Sequence, residues 1–349
     1  MNRRSVVAVL ASLLLWAAGS PAGAAGGTDC LQNPDLVKRA EACQSIVNLR
    51  KAPPETLAMA MRELGLIHTQ WGDAENAYFF LDGAVALQPS DVTNYTARAS
   101  SRTAFRDYAK ALEDFEHVLK INPSHAGVLA SRGYVLGLTG QRRKGIASIS
   151  QAIGLDPQRS ENYYFRGSLW FELGDLEKAV QDQTLAIRLS DGKQWQHFMS
   201  RGAAYYVRGN YRRAIRDLTT VLDLGHELPD VYLMRGTMLQ LQEKQNRALA
   251  DFEKLVAMDP GNAFAYNGRC WSLAKLGKLE AALQDCEKAL SLNRESTNIF
   301  DSRALVHELM GKLDLASADY EKSLSLDAKN QWAIDGLKRV KDLQKTSSP

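Results

Sequence analysis

Two sets of residues in this chain could do chemistry: four cysteines, and a recurring series of arginine and aspartate. The cysteines are Cys30, Cys43, Cys270 and Cys286. Four cysteines in an exported chain invite disulfides and allow three pairings. More than 200 residues separate the two sets. Local bonds, Cys30–Cys43 and Cys270–Cys286, are therefore expected; the alternative is that each cysteine serves as a small hydrophobe. The arginines are Arg98, Arg132, Arg166, Arg201, Arg235, Arg269 and Arg303. Six of them are followed sixteen residues later by an acid: Asp114, Asp182, Asp217, Asp251, Asp285 and Asp319. A row of guanidinium groups could form an anion site. Arginine and aspartate arriving together are better read as structural ion pairs, since the planar guanidinium fork matches a carboxylate. Ser148 stands where the acid for Arg132 would be, which leaves Arg132 as the candidate for binding an external anion.

Little else could be catalytic. The six histidines, His68, His117, His125, His197, His226 and His307, show no metal-ligand spacing. His68 and His307 fall at core-facing positions. No G-x-S-x-G, Walker or G-x-G-x-x-G segment occurs. The expectation is no enzyme, no metal and no cofactor.

The elements that position these residues repeat. Pro89, Pro123 and Pro157 recur at intervals of 34 residues. Counted from Ala58, Val92, Ala126, Ser160, Trp195, Pro229, Ala263 and Thr297, the same columns return. The eighth holds Gly65, Ala99, Gly133, Gly167, Gly202, Gly236, Cys270 and Ala304. The twentieth holds Ala77, Ala111, Gly145, Ala179, Ala214, Ala248, Ala282 and Ala316. A fixed period of this size marks a solenoid. Each unit reads as two helices, with apolar residues at helical spacing as in Tyr163, Phe165, Trp170 and Phe171. Gly72-Asp73, Gly174-Asp175, Gly277-Lys278 and Gly311-Lys312 mark the break between the two. Arg106 and Glu243 replace that glycine, and Asp191 stands where one proline is expected. Small residues in columns eight and twenty allow close helix contact, with Phe115, Leu218 and Phe252 filling the space to the next unit.

These columns resemble the tetratricopeptide repeat, over about residues 58 to 328 and some eight units. The resemblance implies an all-α, right-handed α-solenoid of about eight helix pairs with a concave groove, closed by a C-terminal capping helix. It also implies a role in binding a protein or peptide. The family's groove columns here carry Tyr134, Leu138, Tyr164, Phe171, Met199, Tyr206, Val207, Leu233, Leu241, Phe264, Trp271, Leu305 and Leu309. Glu161, Glu172, Asp230, Lys275, Asp301 and Glu308 lie between them. Tyr134, Tyr164, Phe171, Met199, Tyr206, Leu233, Phe264 and Trp271 form the expected partner-binding wall. The family's clamp for a terminal carboxylate is missing.

The chain begins Met-Asn-Arg-Arg, runs apolar from Val6 to Ala18, and then offers Ala22-Gly23-Ala24. That pattern is a secretory signal peptide cleaved after Ala24. About 13 apolar residues are too few for a bilayer span, which needs roughly 20. Net charge is +3, of which Arg3 and Arg4 supply two, so no nucleic-acid partner is expected. The expected organisation is a signal peptide at 1–24, an N-terminal helical segment at 25–53 ending in a breaker at Pro53-Pro54, the repeat solenoid at 58–329, and a capping helix and tail at 330–349. A bacterial periplasmic protein-interaction scaffold is the leading reading. Its rivals are a subunit of a cell-envelope assembly or secretion complex and a receptor for small ligands or cell-wall fragments.

Overall fold

Aspartate, asparagine, glycine and proline set many of the helix ends. The computed structural model describes residues 27–49 and 52–347; the signal peptide expected from the sequence lies outside them. The described residues are all helix and turn, and they fall in two compact units that divide between Leu189 and Ser190. The first unit holds α1 (Gly27–Gln32), α2 (Leu36–Val47), α3 (Pro54–Trp71), α4 (Ala74–Leu87), α5 (Val92–Ala104), α6 (Tyr108–Ile121), α7 (Ala126–Leu138), α8 (Arg142–Leu155), α9 (Ser160–Glu172) and α10 (Leu176–Leu189). The second holds α11 (Trp195–Val207), α12 (Tyr211–Asp223), α13 (Pro229–Leu241), α14 (Gln245–Met258), α15 (Ala263–Lys275), α16 (Leu279–Leu292), α17 (Thr297–Leu309), α18 (Leu313–Leu326) and α19 (Gln331–Ser347). No described helix is long and apolar enough to cross a membrane.

From α3 onward the chain alternates a first and a second helix of each pair, an α-solenoid. At the expected break, Pro53-Pro54, α2 has already ended and Pro54 opens α3, because the first turn of a helix has no use for the missing N–H. Asp35, Asp73, Asp91, Asp107, Asn210 and Asn262 each accept backbone N–H bonds at helix starts. Most first helices end at a left-handed glycine, such as Gly72 at φ 79°. Arg106 and Glu243 adopt the same conformation at φ 65° and 55° despite their side chains, a strain of about 1 kcal/mol or more each.

Small columns bring paired helices into backbone contact. A Cβ on Gly133 would lie 2.7 Å from the Gly145 carbonyl oxygen, so α7 and α8 touch main chain to main chain. Phe115, Leu218, Phe252 and Tyr320 are the large side chains buried under the next pair. Gly268 and Gly236 admit the Phe252 ring. Gly336 admits the Tyr320 ring in the same way, which puts α19 in the register of another first helix.

Candidate functional site: the inner face of the first helices

Within each unit, successive first helices touch one another, as α3 with α5, α5 with α7 and α7 with α9, and again α13 with α15, α15 with α17 and α17 with α19. No contact of that extent joins successive second helices. The first helices therefore line the tighter, inner side of each unit, and their exposed columns are the place to look for a binding surface.

In the second unit that face is apolar and open. Tyr206 is 38% exposed and Phe264 54%, with Val207, Leu241 and Leu309 exposed beside them. Met199, Leu233 and Trp271 are half-buried. In the first unit Leu138 is exposed, and Tyr134, Tyr164 and Phe171 are half-buried. There Phe165 stacks obliquely against Tyr134 at 4.9 Å and Tyr164 at 5.5 Å. Burial, with the neighbouring Tyr108 and Tyr164 adding to it, pushes the Tyr134 hydroxyl well above the usual tyrosine range. The charged groups expected between these side chains are mostly committed. Glu172 accepts from Arg142 at 2.5 Å, Glu161 faces Arg159 at 3.7 Å, and Lys275 lies over the Trp271 ring at 5.2 Å.

At the far end of the second unit the expectation needs correcting. Leu305 and Asp301 are buried, at 6% exposure each, and are not groove surface. Trp271 on α15 meets Trp332 on α19 at 5.2 Å, although α17 lies between those helices. Asp301 and Leu305 lie on α17, which packs against both indole-bearing helices. Asp301 Oδ2 accepts from Asn330 Nδ2 at 2.7 Å, while Oδ1 makes no hydrogen bond. Burial holds its carboxyl above the ordinary aspartate range, offset in part by Asn330 and Ser323. Glu308 is also occupied: Arg339 donates to it at 2.6 and 2.9 Å, and the Tyr320 hydroxyl at 3.1 Å. Sequence reasoning missed Trp332 because α19 was read only as a cap.

The arginine series faces its own hairpins. Arg98, Arg166, Arg201, Arg235, Arg269 and Arg303 each donate through Nε and Nη2 to both oxygens of Asp114, Asp182, Asp217, Asp251, Asp285 and Asp319, at 2.6–3.1 Å. All six aspartates are buried. The expectation for Arg132 was wrong: it donates to Ser148 at 3.1 Å and to Glu116 at 3.0 Å. Glu116 lies sixteen residues before it, on the preceding second helix. Arg98 reaches Asp82, Arg166 reaches Ser150 and Arg235 reaches Thr219 by the same step, at 2.8, 3.1 and 3.1 Å. Each of these arginines thus joins three helices and is spent on structure.

Disulfides join Cys30 to Cys43 across α1 and α2, and Cys270 to Cys286 across α15 and α16. Two disulfides fit an extracytoplasmic protein. His307 is buried against Asp319, with Nε2 3.8 Å from Oδ2, and burial lowers its affinity for a proton despite that acid. Among the described residues no group of histidine, cysteine, aspartate and glutamate could hold a metal.

Comparison with known proteins agrees with the helix pairing. Family models of the tetratricopeptide repeat match residues 139–193, 200–263, 263–296 and 299–330. Human tetratricopeptide repeat protein 6 is 25% identical over 207 residues, 58% of this chain and 39% of that protein. A TPR repeat-containing protein of Rhizobium etli is 38% identical over 61 residues, 18% of this chain and 30% of that protein. The chain thus spans well under half the length of these curated relatives. Among solved structures, the C-terminal part of a TPR repeat-containing protein from Cytophaga hutchinsonii superposes with a TM-score of 0.55 at 18% identity, covering 69% of this chain and 98% of that one. PilF of Pseudomonas aeruginosa gives 0.54 at 20% identity, covering 61% and 96%. Identities this low speak for the fold alone.

Proposed function

Because this chain belongs to the tetratricopeptide repeat family, we propose that it is an exported scaffold that binds a protein or peptide segment on the inner face of its first helices. One observation carries the reading. Tyr206, Val207, Leu241, Phe264 and Leu309 are large apolar side chains left in water on one set of helices within the second unit. Apolar side chains gathered in this way mark interaction surfaces, and aromatic anchors usually dominate the binding energy. Export rests on the leader at residues 1–24, with its Ala22-Gly23-Ala24 site, together with the two disulfides. A Gram-negative periplasm is the compartment that best suits both. The N-terminal helices at 25–53 and the helix after residue 330 act as the two ends of the 58–329 array. The role is binding and not catalysis.

The test is capture of a partner from periplasmic extract by the wild-type protein and by a Tyr206→Ser, Phe264→Ser variant. Both side chains are on the surface, Phe264 more openly than Tyr206, so the variant should keep nearly all of its helical melting curve. Loss of capture with an unchanged melt supports the reading. Undiminished capture would place the partner elsewhere.

A further inference from the structure

The turn between first and second helix is mostly aspartate-capped in the first unit and mostly lysine-capped in the second. In the first unit three of the four second helices begin as helix physics prefers: Asp73, Asp107 and Asp175 accept N–H bonds from the first turns of α4, α6 and α10, while α8 starts at Gln141 without a side-chain cap bond and with Arg142, Arg143 and Lys144 in its first turn. In the second unit Asn210 caps α12, but the caps of α14, α16 and α18 are Lys244, Lys278 and Lys312, and none of the three makes a side-chain cap bond. A cation there opposes the helix dipole and forgoes the cap. Arg212 and Arg247 add charge to the first turns of α12 and α14, and Arg208 ends α11. All six are exposed, and among the described residues none pairs with an acid. Glu243, Glu280 and Asp314 share this rim; Asp314 accepts from Gln344 instead. The opposite edge of the unit, at the loops between pairs, collects Asp191, Asp223, Glu227, Asp259, Glu295 and Asp327 against Lys193, Arg294 and Lys329.

Positions that violate a local stability rule without a compensating contact are where function is expected. The rim borders the exposed apolar ends of the first helices, Val207 and Leu241, and Tyr206 lies 6.0 Å from Tyr211. An open depression there is lined by Arg208, Asn210, Tyr211, Arg212 and Gln242. We propose that this rim of the second unit receives an extended acidic peptide segment carrying apolar residues, whose carboxylates meet the unpaired lysines and arginines while its apolar side chains turn onto the inner face. A flexible chain crossing the rim meets both surfaces. A flat anionic lipid layer resting on it would meet only the cations. The proposal rests on the inner-face binding reading and adds the chemistry of the partner.

The probes are short fluorescein-labelled peptides alternating glutamate with leucine, or lysine with leucine, and phosphatidylglycerol vesicles. Affinity is read by anisotropy for the full mature protein and for a Lys244→Asp, Lys278→Asp, Lys312→Asp variant. The glutamate peptide should bind the wild type, weaken with added salt, and lose about tenfold or more in affinity to the variant. The variant should melt no lower than wild type, since three aspartate caps replace three uncapped starts. A Lys→Gln triple variant should fall between the two. Equal binding of both peptides, unchanged affinity in the variants, or binding to vesicles without binding to the glutamate peptide would overturn the proposal. If the lysine variants bind normally while Tyr206→Ser, Phe264→Ser does not, the rim assignment falls and the inner-face reading stands. If neither set changes binding, both fall.

Discussion

Replacing Asp251 with alanine should cost about 3 kcal/mol of stability. Asp251 on α14 accepts from Arg235 Nε at 2.9 Å and from Nη2 at 2.6 Å. The two side chains are 5% and 15% exposed. Truncation leaves a guanidinium mostly out of water, with Thr219 Oγ1 at 3.1 Å as its remaining hydrogen-bond acceptor in the structure. Breaking one side of a buried ion pair costs about 3–5 kcal/mol. The surviving Thr219 bond and the partial exposure of the arginine place this case at the lower end. Removing both charges, as Arg235→Met with Asp251→Leu, should cost less than Asp251→Ala alone, because no uncompensated charge remains. Urea unfolding followed by far-UV circular dichroism, with the disulfides intact, measures each. A loss under about 1 kcal/mol for Asp251→Ala would mean that the arginine is well hydrated and that the pair behaves as a surface bridge. The double variant being the worst of the three would also refute the reasoning.

Other outcomes follow from the same structure. Gly268→Ala should destabilise by about 1–3 kcal/mol in the same assay, because the added Cβ would lie 2.3 Å from the Phe252 ring. The exported protein should show no free thiols under denaturing, non-reducing conditions, and removing the Cys270–Cys286 bond should cost about 2–4 kcal/mol by urea midpoint. Asp301 has a raised carboxyl pKa in the fold. Its contribution is therefore present below the ordinary value of 3.8 and is lost as pH rises through the elevated folded value. At neutral pH, Asp301→Asn should accordingly stabilise, as read by thermal melting. His307 runs the other way: with its folded pKa depressed below 6.5, stability is present above that value and falls as pH drops through the folded pKa. His307→Gln should flatten the acid side of the melting profile.

The repeat was legible because backbone contact leaves a narrow choice of residue: Gly133 and Gly145 could not be anything larger, and such columns repeat visibly. The Arg235–Asp251 pairing was legible because both residues recur in register. Its extension to Thr219 was not, since that column varies among Asp82, Glu116, Ser150 and Thr219, any of which can accept from a guanidinium. The burial of Asp301 and Leu305 was hidden for another reason. Asn330, just before α19, donates to Asp301, and α19 lacks the glycine and alanine columns that identify its predecessors. Only Gly336 against Tyr320, matching Gly268 against Phe252, betrays its register. The lysine caps were visible as Gly277-Lys278 and Gly311-Lys312, but their meaning needed the structure, which leaves them exposed and unpaired.

The most direct test of the central claim is site-specific photo-crosslinking in the cell that makes the protein. A photoreactive residue is placed at Tyr206 or Phe264 on the inner face, or at Ala250 on the exposed side of α14. Inner-face binding predicts a discrete adduct from positions 206 and 264, competed by excess unlabelled partner, and none from position 250. Adducts from position 250 with none from 206 or 264 would contradict it.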